Sequence, residues 1–245
     1  MQRRISIEVT AMAFGLVALT AGVFAQQAPA ARGAAPQGQA AQGRGRGAAA
    51  ADAATRPALL FKEEWKQPPY TGEFNDDNRH VTQDAVTNPQ LELKLYGADA
   101  KHVDVYLHEG RHDLWTGMTT SPIAVTLRDK RNYMDLTGLA RLRWMIRSSN
   151  LHAVYPVVKL ADGTFLVGNP QGTDGQFIQT EVSFGNRRWF KLDSQKISTT
   201  AEVKTPDLSK VDEVGFADLM PGGGHGSAGW INVSAVELYA KAVPR

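Results

Sequence analysis

The chain has 245 residues, 42% of them hydrophobic, no cysteine and a formal net charge of +2. Without cysteine, a disulfide scaffold, a thiolate metal centre and a lipid-modified cysteine anchor are all excluded. The first 57 residues carry six basic and two acidic side chains, so the remainder stands at −2 and offers no basic field for a nucleic acid.

Residues 1–25 have the form of an export signal. Arg3 and Arg4 precede an apolar stretch from Ala11 to Phe24, which is short for a membrane span, and "VFA" ends in a small residue before Gln26. Cleavage is expected after Ala25, leaving a periplasmic or secreted protein with no integral membrane segment. Residues 26–57 are almost entirely Ala, Gly, Gln, Pro and Arg and contain no Leu, Ile, Val, Phe, Trp or Tyr. Such a stretch has nothing to bury against its ordering entropy, and it is expected to be a disordered tether. The 188 residues from 58 to 245 suffice for one core and are expected to form one domain.

Within that domain, alternating apolar runs follow one another in "LELKLYG", "HVDVYLHEG", "PIAVTLRD", "LARLRWMIR", "AVYPVVKLADG", "TFLVG", "FIQTEVSFG", "WFKLD", "VDEVGFADL" and "WINVSAVELYAK". Short runs separated by Gly, Asn, Asp and Pro predict an all-β, antiparallel sandwich. Asp162-Gly163 and Gly185-Asn186 mark turns, and "PGGGHGSAG" is too rich in glycine to be regular.

"HEGRH" at 108–112 has the spacing that zinc peptidases place on a helix. Here it follows the strand-like "HVDVYL" and holds Gly110 at its centre, so the stretch predicts a strand end and a hairpin turn with His108 and His112 as exposed loop residues.

"YMDLTGLARLRWMIRSSN" (133–150) and "PDLSKVDEVGFADLMPGGGHGSAGWINVSAVELYAK" (206–241), with "RRWFKLD" between them, resemble the core-strand entry and final strand pair of galactose-binding-like jelly rolls. This superfamily includes many carbohydrate-binding modules of exported bacterial proteins. The resemblance implies a jelly-roll sandwich, and for many members a structural calcium. The last strand, with Val233, Ser234, Ala235, Val236 and Glu237, lacks the usual Asp, leaving Asp76 and Asp77 as candidate calcium ligands.

No Gly-x-Ser-x-Gly elbow supports a serine hydrolase, and the glycine run precedes no helix that would cradle phosphate. Glu181 with Glu213 is one of many carboxylate pairs available to a glycosidase. In "LARLRWMIR", alternation buries Ala140, Leu142, Trp144 and Ile146 and turns Arg141, Arg143, Met145 and Arg147 outward. In "VYPVVKL" Tyr155 and Lys159 turn outward, and in "FIQTEVSF" so do Phe177, Gln179 and Glu181, with Ile178, Val182 and Phe184 inward. If these strands are neighbours, Arg141, Arg143, Tyr155, Gln179 and Glu181 share a sugar-binding face, completed from loops by Trp115 and His225. The sequence thus describes an exported, non-catalytic module that binds carbohydrate and needs no cofactor. The alternatives are a glycan-active hydrolase, a zinc metallopeptidase using His108 and His112, and a structural or protein-binding envelope domain.

Overall fold

The computed structural model describes residues 56–245 other than 74, 76, 77, 150 and 221–228. The export signal, nearly all of the tether, Asp76, Asp77 and His225 therefore lie outside the described residues. The strands are β1 (Leu59–Glu63), β2 (Leu91–Tyr96), β3 (Asp104–His108), β4 (Arg111–Trp115), β5 (Ile123–Asp129), β6 (Asn132–Asp135), β7 (Arg141–Ser148) and β8 (Tyr155–Leu160). They continue with β9 (Phe165–Gly168), β10 (Ile178–Ser183), β11 (Trp189–Asp193), β12 (Ser198–Val203), β13 (Val211–Asp218), β14 (Ile231–Tyr239) and β15 (Lys241–Pro244). Among the described residues no helix is long and apolar enough to cross a membrane.

The molecule is an antiparallel β-sandwich with jelly-roll crossings. One sheet has the order β10-β7-β14-β4-β3 with β1 also paired to β14; the other has β12-β11-β9-β8-β13-β5-β2, with β6 and β15 attached beside β13. The chain changes sheet at β1 to β2, β2 to β3, β4 to β5, β6 to β7, β7 to β8, β9 to β10, β10 to β11, β13 to β14 and β14 to β15. Strand β14 serves two partners along one edge. Its first half pairs with β4 and its second with β1, and its register against β7 shifts between Val233 and Val236.

Alternation places the core. Leu142, Trp144 and Ile146 of β7 are 0%, 1% and 0% exposed. They meet Leu127, Val158, Leu166, Trp189, Val214 and Phe216 from the opposite sheet in one apolar cluster. Every second residue of β7 thus leaves water, which is what a sheet with one buried face requires. Val182 of β10 and Phe184 just after it follow the same rule, but Ile178, expected inside, is 38% exposed because β10 is an edge strand. A smaller cluster of Val157, Phe165, Val167, Leu192 and Ile197 lies on the far side of the second sheet, with Tyr96 and Tyr155 packed against it.

Gly215 sits where β13 runs between β5 and β8. A Cβ there would lie 2.0 Å from the carbonyl oxygen of Val125, which is backbone and cannot rotate aside. Gly215→Ala is therefore expected to lower stability by at least the ~1–3 kcal/mol typical of overpacking. Thermal unfolding of the variant checks this, and an unchanged midpoint would contradict it.

Candidate functional site

The outward face of the first sheet carries a connected set of polar and aromatic side chains. Register fixes who meets whom: Glu181 of β10 faces Arg143 of β7, which faces Glu237 of β14, and one step along Ser183, Arg141 and Tyr239 are aligned. Arg143 donates through Nε and Nη2 to Glu181 Oε1 at 3.0 and 2.9 Å, and through Nη1 to Glu237 Oε2 and the Tyr239 hydroxyl at 3.5 and 3.4 Å. Tyr239 in turn donates to Glu237 Oε2 at 2.8 Å. The Arg141 guanidinium lies 4.2 Å over the Tyr239 ring and 3.3 Å from Glu181. The hydrogen bonds from Arg143 hold the Glu181 carboxyl below the usual carboxylate range, and those to Glu181 raise the Arg143 pKa. Arg143, Met145, Gln179 and Glu237 border a shallow hollow of about 30 Å³.

The same face continues across the sheet, since Arg147, Asn232, Trp115 and Asp104 share a row. Arg147 donates from Nε to the Gly175 carbonyl at 2.8 Å and sits 5.8 Å from the ring centroids of both Phe177 and Trp230. Beside it, His108 Nδ1 is 2.7 Å from Asp113 Oδ2, and Asn232 Nδ2 donates to Asp113 Oδ1 at 2.7 Å. Tyr106 stacks on His108 with centroids 5.0 Å apart and meets Trp115 edge-on at 5.1 Å, while Arg79 lies 4.3 Å over the Tyr106 ring. Asp113 is 1% exposed, and burial pushes its pKa up despite its two partners.

Four expected site residues, Arg141, Arg143, Gln179 and Glu181, are brought together on adjacent strands. Tyr155 is not among them. It lies on β8, opposite Ala217 of β13 in the second sheet, and packs against the smaller apolar cluster. Alternation fixes the face on which a side chain stands but not the sheet, and the chain crosses between sheets after β7. Trp115 is a strand residue rather than a loop residue. It is 5% exposed and covered by Gly117, where a Cβ would fall 1.9 Å from its ring. Glu181 and Glu213 stand on opposite outward faces of the sandwich and cannot flank one bond. Glu213 is buried among Tyr96, Thr126 and Lys159 in the second sheet.

"HEGRH" forms the β3–β4 hairpin, as expected. Glu109 and Gly110 have φ of 50° and 78°, the two left-handed positions of a two-residue turn. His108 pairs with Arg111 and His112 with Leu107, so the two imidazoles leave the ribbon on opposite faces and cannot share an ion. His108 is nevertheless not a free loop residue, because it holds the buried Asp113. His108→Ala is expected to cost about 1–3 kcal/mol, the range for stranding a buried polar partner, and His112→Ala less than that. Denaturant titration of both variants checks the difference; equal losses would contradict it. Tyr239, Glu237, Tyr106 and Asp113 were not foreseen as site residues. The alternation of "VELY" marks Glu237 and Tyr239 as outward, but their partnership with β7 is set by a pairing of strands far apart in sequence.

No family model and no curated protein matches the chain. Among solved structures, it is similar to a family 11 carbohydrate-binding module of a cellulosomal cellulase of Clostridium thermocellum, at 13% identity and a TM-score of 0.38, covering 63% of this chain and 85% of that one. It is also similar to an exo-β-agarase, at 11% identity and a TM-score of 0.38, covering 67% of this chain but only 25% of that one. A third is arcelin-5, a lectin-like defence protein of Phaseolus vulgaris, at 8% identity and a TM-score of 0.36, covering 64% of this chain and 94% of that one.

Proposed function

We propose that this protein is an exported, non-catalytic module that binds carbohydrate on the outward face of the β10-β7-β14-β4-β3 sheet. The observation that carries this reading is the network centred on Arg143, in which a guanidinium, two carboxylates and a phenol are fixed on three adjacent strands. Sugar hydroxyls are matched by such planar donors and acceptors, and the apolar face of a pyranose by an aromatic ring. Phe177, Trp230 and Tyr106 supply rings on the same face. The ionisation of the site favours binding over hydrolysis. A glycosidase needs one carboxylic acid kept protonated beside a second carboxylate. Glu181 is instead held ionised by Arg143 and Glu237 is engaged by Arg143 and Tyr239, while Asp113, whose pKa burial raises, is shut off from a glycosidic oxygen because it is buried with both oxygens hydrogen-bonded to His108 and Asn232.

A shallow site of this kind gives affinities of about micromolar to millimolar. A glycan array on the full chain identifies a ligand, and calorimetry then tests the face. Arg143→Ala is expected to weaken binding at least tenfold, about 1.4 kcal/mol. Tyr155→Ala and Lys191→Ala, both on the second sheet, should leave affinity unchanged. Retained affinity in Arg143→Ala, or loss in Tyr155→Ala, would move the site off this face.

A further inference from the structure

Two imidazoles meet at the β3 edge of the first sheet. His80 forms an isolated antiparallel bridge to Asp104, the first residue of β3, and His102 lies two residues before Asp104. Residues opposite each other across a bridge, and residues two apart in extended chain, stand on one face, which brings His80, Asp104 and His102 together. The two rings have their centres 5.4 Å apart. Among the described histidines no other pair of rings meets.

Both rings are held at the same nitrogen. His80 Nδ1 lies 2.7 Å from Asp104 Oδ1, and His102 Nδ1 is bonded to Asp99 Oδ1. An ionised carboxylate only accepts, so each Nδ1 carries the proton and each neutral ring keeps its lone pair on Nε2. Neither Nε2 has a hydrogen-bond partner among the described residues, and side-chain exposures of 26% and 38% leave the rings open to water. The carboxylates are themselves fixed. Asp104 is buried with Arg79 Nη2 3.6 Å away, and Asp99 Oδ2 accepts from the backbone N–H and hydroxyl of Thr120. A carboxylate on Nδ1 with a lone pair on Nε2 is the arrangement that orients a metal-binding histidine. Two imidazoles on one tetrahedral ion, with metal–nitrogen bonds of about 2.0–2.1 Å, have ring centres roughly 5 Å apart. The other anchored histidines each lack a condition. His152 is buried on Asp218, and His108 on Asp113 has no second imidazole beside it, since His112 leaves the hairpin on the opposite face.

We propose that His80 and His102 bind one divalent transition ion of the zinc class through their Nε2 atoms. Imidazole nitrogen suits such ions, whereas calcium and magnesium take oxygen. No third His, Cys, Asp or Glu completes the set among the described residues, so water or a ligand hydroxyl fills the remaining positions on the ion. His80 borders a cleft of about 570 Å³ whose walls include Tyr70, Asn78, Thr82 and Asp84, and this cleft gives the ion its way in. The site is separate from the Arg143 network and does not rest on the sugar-binding reading.

Calorimetric titration of the metal-stripped full chain with zinc chloride tests this. Zinc is expected to bind saturably at one ion per chain, and excess calcium chloride to leave that binding unchanged. His80→Gln and His102→Gln, which keep an amide donor toward Asp104 and Asp99, should each weaken zinc binding at least tenfold. His108→Gln and His112→Gln should not. The wild-type protein supplies a readout that needs no variant to fold: one equivalent of zinc should shift the ¹⁵Nε2 resonances of the two histidines whose rings show a mutual Overhauser contact. No saturable zinc binding, unchanged affinity in both His80→Gln and His102→Gln, or a zinc shift confined to histidines outside this pair would each overturn the proposal.

Discussion

Trp144→Ala lowers the stability of the domain by about 3–5 kcal/mol, the range for truncating a large aromatic in a packed core. Trp144 is 1% exposed at the centre of β7, between Leu142 and Ile146, in the cluster that joins the two sheets. Its indole Nε1 also donates to Gln171 Oε1 at 2.7 Å, so truncation leaves both a cavity and an unpaired amide oxygen. Trp144→Phe separates the two terms. It retains most of the apolar volume and should recover more than half of the loss. Chemical denaturation measures both, and a loss below about 1 kcal/mol in Trp144→Ala would invert the facing of β7 and with it the location of Arg143.

The second large effect is expected at Glu213. This carboxylate is fully buried and accepts from Tyr96 Oη at 3.0 and 2.9 Å, from Lys159 Nζ at 2.8 Å and from the Thr126 hydroxyl. Burial and the adjacent Glu213 charge raise the pKa of Tyr96, which keeps the phenol a donor. Glu213→Ala strands a lysine, a phenol and a hydroxyl together, and should cost about 3–5 kcal/mol, as does breaking a buried ion pair from one side. Glu213→Gln retains an acceptor and should cost less. Sugar binding by either variant, measured below its unfolding midpoint, should match wild type, because the cluster lies on the other sheet. A stability loss in Glu213→Ala within 1 kcal/mol of zero would show that the cluster is solvated.

The strands legible in the sequence were those with one buried face. All ten alternating runs became strands, because period-two alternation survives wherever a sheet separates core from water. The strands not foreseen lack that signature. β12 is exposed at nearly every position, β6 and β15 are four residues each, β4 begins within the hairpin motif, and β1 buries the charged Glu63 beside Phe61 and leaves Leu59 exposed. The site was legible only in part for a related reason. Alternation gave Arg141, Arg143, Gln179 and Glu181 a common face because β7 and β10 are neighbours, yet it also recruited Tyr155, whose strand belongs to the other sheet. Glu237 and Tyr239 joined the network through a pairing with β7 that spans almost a hundred residues, and no local pattern records it. Trp115 read as a ring at a loop because the following Thr-Gly marks a turn, although that glycine lies against the indole and seals it.

The most direct measurement is a ¹⁵N NMR titration of the full chain with the tightest glycan identified by array, mapped onto the sandwich. Shifts are expected to concentrate on β7, β10 and β14, at Arg141, Arg143, Gln179, Glu181, Glu237 and Tyr239, with smaller changes around Phe177 and Trp230. Shifts confined to the second sheet, around Tyr96, Tyr155 and Phe165, would contradict the assignment of the binding face.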